Sequence, residues 1–151
     1  MENMDGSERV MVISPHPDDV DFGCSGTIAG WSRMGMNITY VICTSGDKGT
    51  DFPVEPEAIA GIREKEQLAA AEIVGVRKVV FLRLKDGELE NNREFRKTLV
   101  RALRQYRPDA GTDRALQYQG GHGGQRTGRD IQGGIVLLQA HRQSGALLPQ
   151  G

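Results

Sequence analysis

The chain has 151 residues, enough for one domain of about 100–200 residues and too few for two full ones. Hydrophobic residues make up 38% and charged residues 26%, which excludes a disordered or fibrous chain, and no apolar run approaches the ~20 residues that cross a bilayer. A formal net charge of −1 argues against a general nucleic-acid binder.

The first nine residues are acidic and polar, without the basic and apolar regions of a signal peptide. Two cysteines, Cys24 and Cys43, are too few for a disulfide framework, so a reduced, cytoplasmic setting is expected. Arg9 to Ser14 (RVMVIS) is a β-branched apolar run bounded by Pro15, which predicts a first strand. Pro15 and Pro17 then impose a non-helical turn, because each disfavours the α region for the residue before it. The loop continues through residues 23–26. Ser25 or Thr27 caps a helix running to about Met34, with Trp31 and Met34 expected in the core. Residues 38–43 (ITYVIC) carry no charge, as expected of a strand buried on both faces.

Residues 45–56 read as a loop. Residues 57–74 read as a helix whose Ile59, Ile62, Ala69, Ala70 and Ile73 share one apolar face, ended by Gly75. Residues 78–82 (KVVFL) are a third strand, and Asp86-Gly87 marks a turn. Residues 93–106 are a helix with Phe95, Leu99, Ala102, Leu103 and Tyr106 inward, stopped by Pro108. The basic residues around that stripe read as a solvated face. Strand and helix alternate with connections long enough for crossovers, so the fold class is α/β, a doubly wound parallel sheet.

The pattern breaks at residue 109, where a fourth strand should begin. Residues 1–109 hold 5 Lys and 10 Glu; residues 110–151 hold neither, and carry 10 of the 20 glycines and 7 glutamines. Only the short run 135–138 has strand character there. Two explanations compete: a Gly/Gln-rich disordered extension, or a shifted reading frame or truncation. The coincidence of the compositional break with the break in the fold pattern favours the second. The expected organisation is therefore an incomplete sheet over residues 1–109, followed by an irregular tail over 110–151.

In open α/β sheets, ligands bind beyond the carboxyl ends of the strands. After the first strand stands Pro15-His16-Pro17-Asp18-Asp19-Val20-Asp21, an imidazole and three carboxylates within six residues. Neutral imidazole and carboxylate are zinc ligands. His16 and Asp19, three apart across a proline-stiffened turn, can point into one site, with Asp18 held close without ligating. A carboxylate beside a metal-activated water is what a hydrolase needs. An Asp-Asp pair in such a loop also serves as an ordinary turn or helix cap, and a lone His as a structural hydrogen-bonding group. Both readings stand on the residues alone. Nothing near Cys24 suggests an activated thiol.

The run PHPDDVDFGCSGT after a strand resembles the signature of the LmbE-like, or PIG-L, family of zinc-dependent N-acetylglucosaminyl deacetylases. Weaker likenesses follow in order. Thr44-Ser45-Gly46-Asp47-Lys48-Gly49 is similar to the family's second loop. Arg63-Glu64-Lys65-Glu66 is similar to its Arg-x-x-Glu helix, Asp86-Gly87 with Leu89 to its Asp-Gly-x-Leu turn, and Arg107-Pro108-Asp109 to the lead-in of its fourth strand. The likeness spans residues 9–109. It implies a Rossmann-like sheet and hydrolysis of an N-acetyl group from a small amino-sugar conjugate. It further implies Zn²⁺ as cofactor with His16 and Asp19 as ligands, Asp18 as general base, and Arg63 and Asp86 as sugar contacts. The family takes its third zinc ligand from a His-Pro-Asp-His-like motif after the fourth strand, which this sequence lacks. His122 is the candidate at a comparable distance; His141 is a weaker one. Catalytic zinc normally has three protein ligands. The alternatives are therefore an inactive fragment of such an enzyme, or a metal-dependent phosphoesterase using the same residue types. No nucleic-acid or membrane partner is expected; self-association is left open.

Overall fold

The computed structural model describes residues 8–50 and 53–109, and the backbone of two further strands at 116–119 and 134–138. In chain order the elements are β1 (Arg9–Ser14), α1 (Asp19–Gly23), α2 (Ser25–Arg33), β2 (Asn37–Thr44), α3 (Pro56–Ile73), β3 (Lys78–Leu84), α4 (Arg93–Tyr106), β4 (Leu116–Gln119) and β5 (Gly134–Leu138). The sheet order is β3-β2-β1-β5-β4. β1 pairs parallel with β2, Arg9 opposite Asn37 through Ser14 opposite Ile42, and β2 pairs parallel with β3.

The alternation of side chains along β1 and β2 sends Val10, Val12, Ile38, Tyr40 and Ile42 to one face, where Val20, Ile28 and Ala71 meet them. Met11, Ile13, Val41 and Cys43 go to the other, where α4 covers them with Ala102, Phe95, Leu99, Leu103 and Tyr106. Two right-handed crossovers running the same way across the sheet put α2 and α3 on one side. α4, after the last step outward, lies on the other. The chain thus reverses direction beside β1, and the carboxyl end of β1 is the switch point at which such sheets bind ligands.

Helix ends follow from local chemistry. Pro56 opens α3 at its first turn, where no N–H is needed. Gly75 ends it at φ +83, a left-handed turn open to glycine. Asn92 caps α4, its Oδ1 accepting from Phe95 N at 2.9 Å.

Four sequence expectations change. Residues 19–23 are helical, so the loop after β1 is shorter than expected; Cys24 (φ −149) breaks α1 from α2. Met34 is 73% exposed, because α2 has ended before it, while Trp31 packs against the core. The apolar face of α3 is not the buried one: Ile73 is 86% exposed and Ile62 is exposed too, whereas Gln67 and Ala71 are buried. The inward face is turned about a third of a turn from the apolar stripe.

The fourth change concerns the free edge of β1. Asp109 lies at its start, with its N–H donating to Arg9 O and its carboxylate taking Arg9 N at 2.7 Å and the Arg9 guanidinium at 2.6 Å. Among the described residues no parallel strand follows. β5 pairs antiparallel with β1, Met11 opposite Leu138, and β4 pairs antiparallel with β5. β5 contains the run 135–138 noted above; β4 was not expected. An unpaired strand edge leaves a row of backbone groups open, and antiparallel pairing closes it without a crossover. Among the described residues no helix is long and apolar enough to cross a membrane.

Candidate functional site

The loop at the end of β1 is pinned before any functional side chain is placed. Thr44, at the end of β2, donates to Pro15 O from both its backbone N (2.9 Å) and its hydroxyl (3.0 Å). Ser14 Oγ donates to His16 O at 2.9 Å. Proline in the loop removes backbone freedom, so these few bonds suffice to fix it.

His16 sits between two carboxylates. Its backbone N–H donates to Asp19 Oδ2 at 3.1 Å, and its Nδ1 lies 3.2 Å from the same oxygen. Its Nε2 lies 3.1 Å from Asp86 Oδ1, while Asp86 Oδ2 accepts from Lys48 N at 3.1 Å. Asp86 comes from the turn after β3 and is almost fully buried. Both ring nitrogens can donate only when the imidazole is protonated. The bond to Asp19 raises the His16 pKa above 6.5; burial opposes this, and Asp86 adds to it.

Asp18 is half-exposed and faces another way. Its backbone is left-handed, at φ 73, a conformation that costs a non-glycine residue of order 1–3 kcal/mol and persists only when its surroundings hold it. Its carboxylate accepts from Arg63 Nη2 at 3.0 Å. Arg63, from the first half of α3, also donates from Nη1 to Gly46 O at 2.9 Å. The guanidinium fills the space over the second loop. A Cβ added at Gly46 or Gly49 would meet Arg63 Nη1 and displace the guanidinium, and at Gly46 the left-handed backbone (φ +66) favours glycine as well. One residue on, Glu64 accepts from Ser45 Oγ at 2.5 Å and from the Arg83 guanidinium at 2.9 Å, which lowers its pKa.

His16, Asp18, Asp19, Arg63 and Asp86, spread over 71 positions of sequence, are thus gathered at the carboxyl ends of β1, β2 and β3. His122 and His141 lie outside the described residues. Burial, with Asp21 nearby, pushes the Cys24 thiol up to about 11, away from the thiolate form a nucleophile needs. Sequence reasoning missed Gln67, buried between Asp18 and Asp21, and the backbone N–H of Lys48. Gln67 lies four residues before Ala71, on the same helix face, and only that shared face could have flagged it.

The donor set fits a zinc ion in part. Two ligands about 2.0–2.2 Å from a tetrahedral centre lie about 3.3 Å apart, close to the 3.2 Å between His16 Nδ1 and Asp19 Oδ2. Asp86 on the far ring nitrogen is the carboxylate that commonly orients a metal-binding histidine. No group of three His, Cys, Asp or Glu side chains able to hold a metal occurs among the described residues.

The family profile described as PIG-L, GlcNAc-PI de-N-acetylase, matches residues 11–112. Among curated relatives, the diacetylchitobiose deacetylase of Thermococcus kodakarensis is 39% identical over 102 residues, 67% of this chain and 38% of that protein. The probable N-acetyl-alpha-D-glucosaminyl L-malate deacetylase 2 of Bacillus anthracis is 29% identical over 70% of this chain and 49% of its own length. The chain therefore spans less than half the length of these relatives. Among solved structures, the N,N'-diacetylchitobiose deacetylase from Pyrococcus horikoshii is 40% identical with a TM-score of 0.66, over 69% of this chain and 39% of that one. The 4-carboxy-2-hydroxymuconate hydratase GalB from Pseudomonas putida, 22% identical with a TM-score of 0.61 over 74% of this chain and 48% of that one, shares the fold alone. A common fold does not fix an activity; the match over 11–112 does fix descent. The chain belongs to the PIG-L family of GlcNAc-PI de-N-acetylases.

Proposed function

We propose that residues 1–109 carry part of the active site of a zinc-dependent N-deacetylase that removes the acetyl group from an N-acetylglucosamine-type conjugate in the cytoplasm. The observation that carries this reading is the convergence of His16 Nδ1 and Asp19 Oδ2, 3.2 Å apart at the end of β1, with Asp18 next in the chain to Asp19 and its half-exposed carboxylate held by Arg63. His16 and Asp19 would hold the ion. Asp86 and, through it, the Lys48 N–H keep the imidazole ring turned. When bound, zinc supplies Lewis acidity that lowers the pKa of a water and polarises an amide carbonyl. Asp18 takes the proton from the attacking water and passes it to the departing nitrogen. The C–N bond breaks, giving acetate and a free amine.

Arg63, holding Asp18 at 3.0 Å, orients that carboxylate and offers its remaining donors to sugar hydroxyls. Asp86 also lies within this cluster, with one oxygen on His16 and the other on Lys48 N, and keeps further lone pairs for a sugar hydroxyl.

Zinc titration and acetate release from N,N'-diacetylchitobiose test the reading, in the full chain and in His16→Ala. Loss of a ligand should lower zinc affinity by at least the ~10–100-fold that a supporting residue costs, and abolish acetate release. Unchanged zinc binding and turnover in His16→Ala would overturn the assignment. A second reading is favoured by the absence of a third donor among the described residues: a fragment that binds zinc weakly and turns nothing over. Tight stoichiometric zinc with acetate release in the unmodified chain excludes it.

A further inference from the structure

α3 buries an uncharged polar side chain at the centre of its inward face. Gln67 is 1% exposed, and both ends of its amide go to the α1 loop. Its Oε1 accepts from Asp18 N at 2.7 Å, and its Nε2 donates to Asp21 Oδ2 at 3.4 Å. Buried polar groups are satisfied almost without exception, but this one is satisfied by a residue 49 positions away in a left-handed conformation. Asp18 O accepts from Asp21 N at 2.9 Å and Phe22 N at 3.2 Å, which starts α1. With its carbonyl committed to α1 and its N–H to Gln67, Asp18 has both flanking peptide planes fixed. The direction of its Cα–Cβ bond follows from them. Arg63 then holds the carboxylate from the opposite end.

We propose that Gln67 is a positioning residue: by holding the Asp18 N–H, it keeps Asp18 left-handed and aims its carboxylate at the reacting water. This rests on Asp18 being the proton carrier. Gln67 need not touch the substrate. Its effect passes through the backbone of the residue that does, and a misplacement of about 1 Å there can cost ~100-fold in rate. The competing account gives the buried amide a merely structural role, tying α3 to the loop.

Two variants of the full chain separate these. Gln67→Met keeps the volume and removes the acceptor; Gln67→Glu keeps an acceptor for Asp18 N. In Gln67→Met the Asp18 amide should exchange with solvent about 5- to 10-fold faster, the loss of one hydrogen bond, while β1 and β2 amides keep their protection. Gln67→Glu keeps that acceptor but sets an oxygen against Asp21 Oδ2, so it should recover part of that protection. Turnover should fall ~10- to 100-fold in kcat with KM within about twofold, and return partly in Gln67→Glu. Unchanged exchange at Asp18 in Gln67→Met overturns the proposal, as does an unchanged kcat per folded molecule. Asp18→Asn with full turnover overturns the proton-carrier role instead, and the catalytic part of this proposal with it. In a chain without turnover, the exchange measurement alone decides whether Gln67 holds Asp18.

Discussion

On the α4 side of the sheet, Phe95, Leu99, Ala102, Leu103 and Tyr106 cover Met11, Ile13, Val41 and Cys43, and every charged side chain of the helix is exposed. On the α2/α3 side, the other residues of the same strands meet Val20, Ile28 and Ala71, while Arg63, Glu64 and Gln67 of α3 also turn inward. The first face only has to exclude water. The second excludes water at its lower end, and toward the carboxyl ends of the strands it must also hold up a polar loop. Buried polarity here marks the side of the sheet on which the site is built.

If the α2/α3 side is still the main core despite that polarity, truncation there costs most. Ile28→Ala, at a fully buried position, should lower the unfolding free energy by about 2–5 kcal/mol. Leu99→Ala, half-buried on the α4 side, should cost about 1–2 kcal/mol, in proportion to the smaller area removed from water. Urea denaturation with unchanged m-values checks both. Equal costs would show that the faces are energetically alike.

The same contrast explains what could be read from the sequence. α4 is legible to the residue, Arg93–Tyr106, because its apolar stripe and the following proline point one way. β1 is legible for the same reason. On α3 the helix is legible but its orientation is not. The periodicity of Ile62, Ala69 and Ile73 selects the wrong face, because the inward face carries Arg63 and Gln67 for the loop's sake. Hydrophobic patterning assumes an apolar neighbour. His16, Asp18 and Asp19 stand out because they are adjacent in sequence. Their joining with Arg63 and Asp86 came through the resemblance, since nothing local links residues 45 and more positions apart. The left-handed Asp18 left no signal, as the position carries no glycine.

A smaller effect, confined to the site side, is the pH dependence of the metal-free chain. The folded pKa of His16 is raised above 6.5, chiefly by Asp19. The imidazolium contact therefore stabilises the fold fully below about 6.5, and the contribution is lost as pH rises through the raised value. Thermal melts without metal should show Tm falling across that window, and the slope should vanish in His16→Gln. Under the zinc reading the slope reverses when zinc is present, because the ligand must be deprotonated and binding strengthens with pH. A metal-free Tm that rises across the window would contradict the ion-pair geometry.

The smallest effect tests whether every polar group on the site side has a purpose. Tyr40 is fully buried on β2, and its hydroxyl finds no hydrogen-bond partner among the described residues. Burial is the main cause, with Cys24 and Asp21 next, that pushes its pKa far up, so it stays a neutral phenol. A donor buried without a partner costs desolvation that nothing offsets, so its removal is neutral or favourable. Tyr40→Phe should therefore leave stability unchanged or raise it by up to about 1 kcal/mol, the opposite sign to Ile28→Ala in the same cluster. A loss of more than about 1 kcal/mol would mean that the hydroxyl is bonded in solution, the expected partner being a buried water shared with Asp21. That outcome would place Tyr40 with Gln67 among the groups that hold the α1 loop, and would carry the polar scaffold of the site one layer deeper into the sheet.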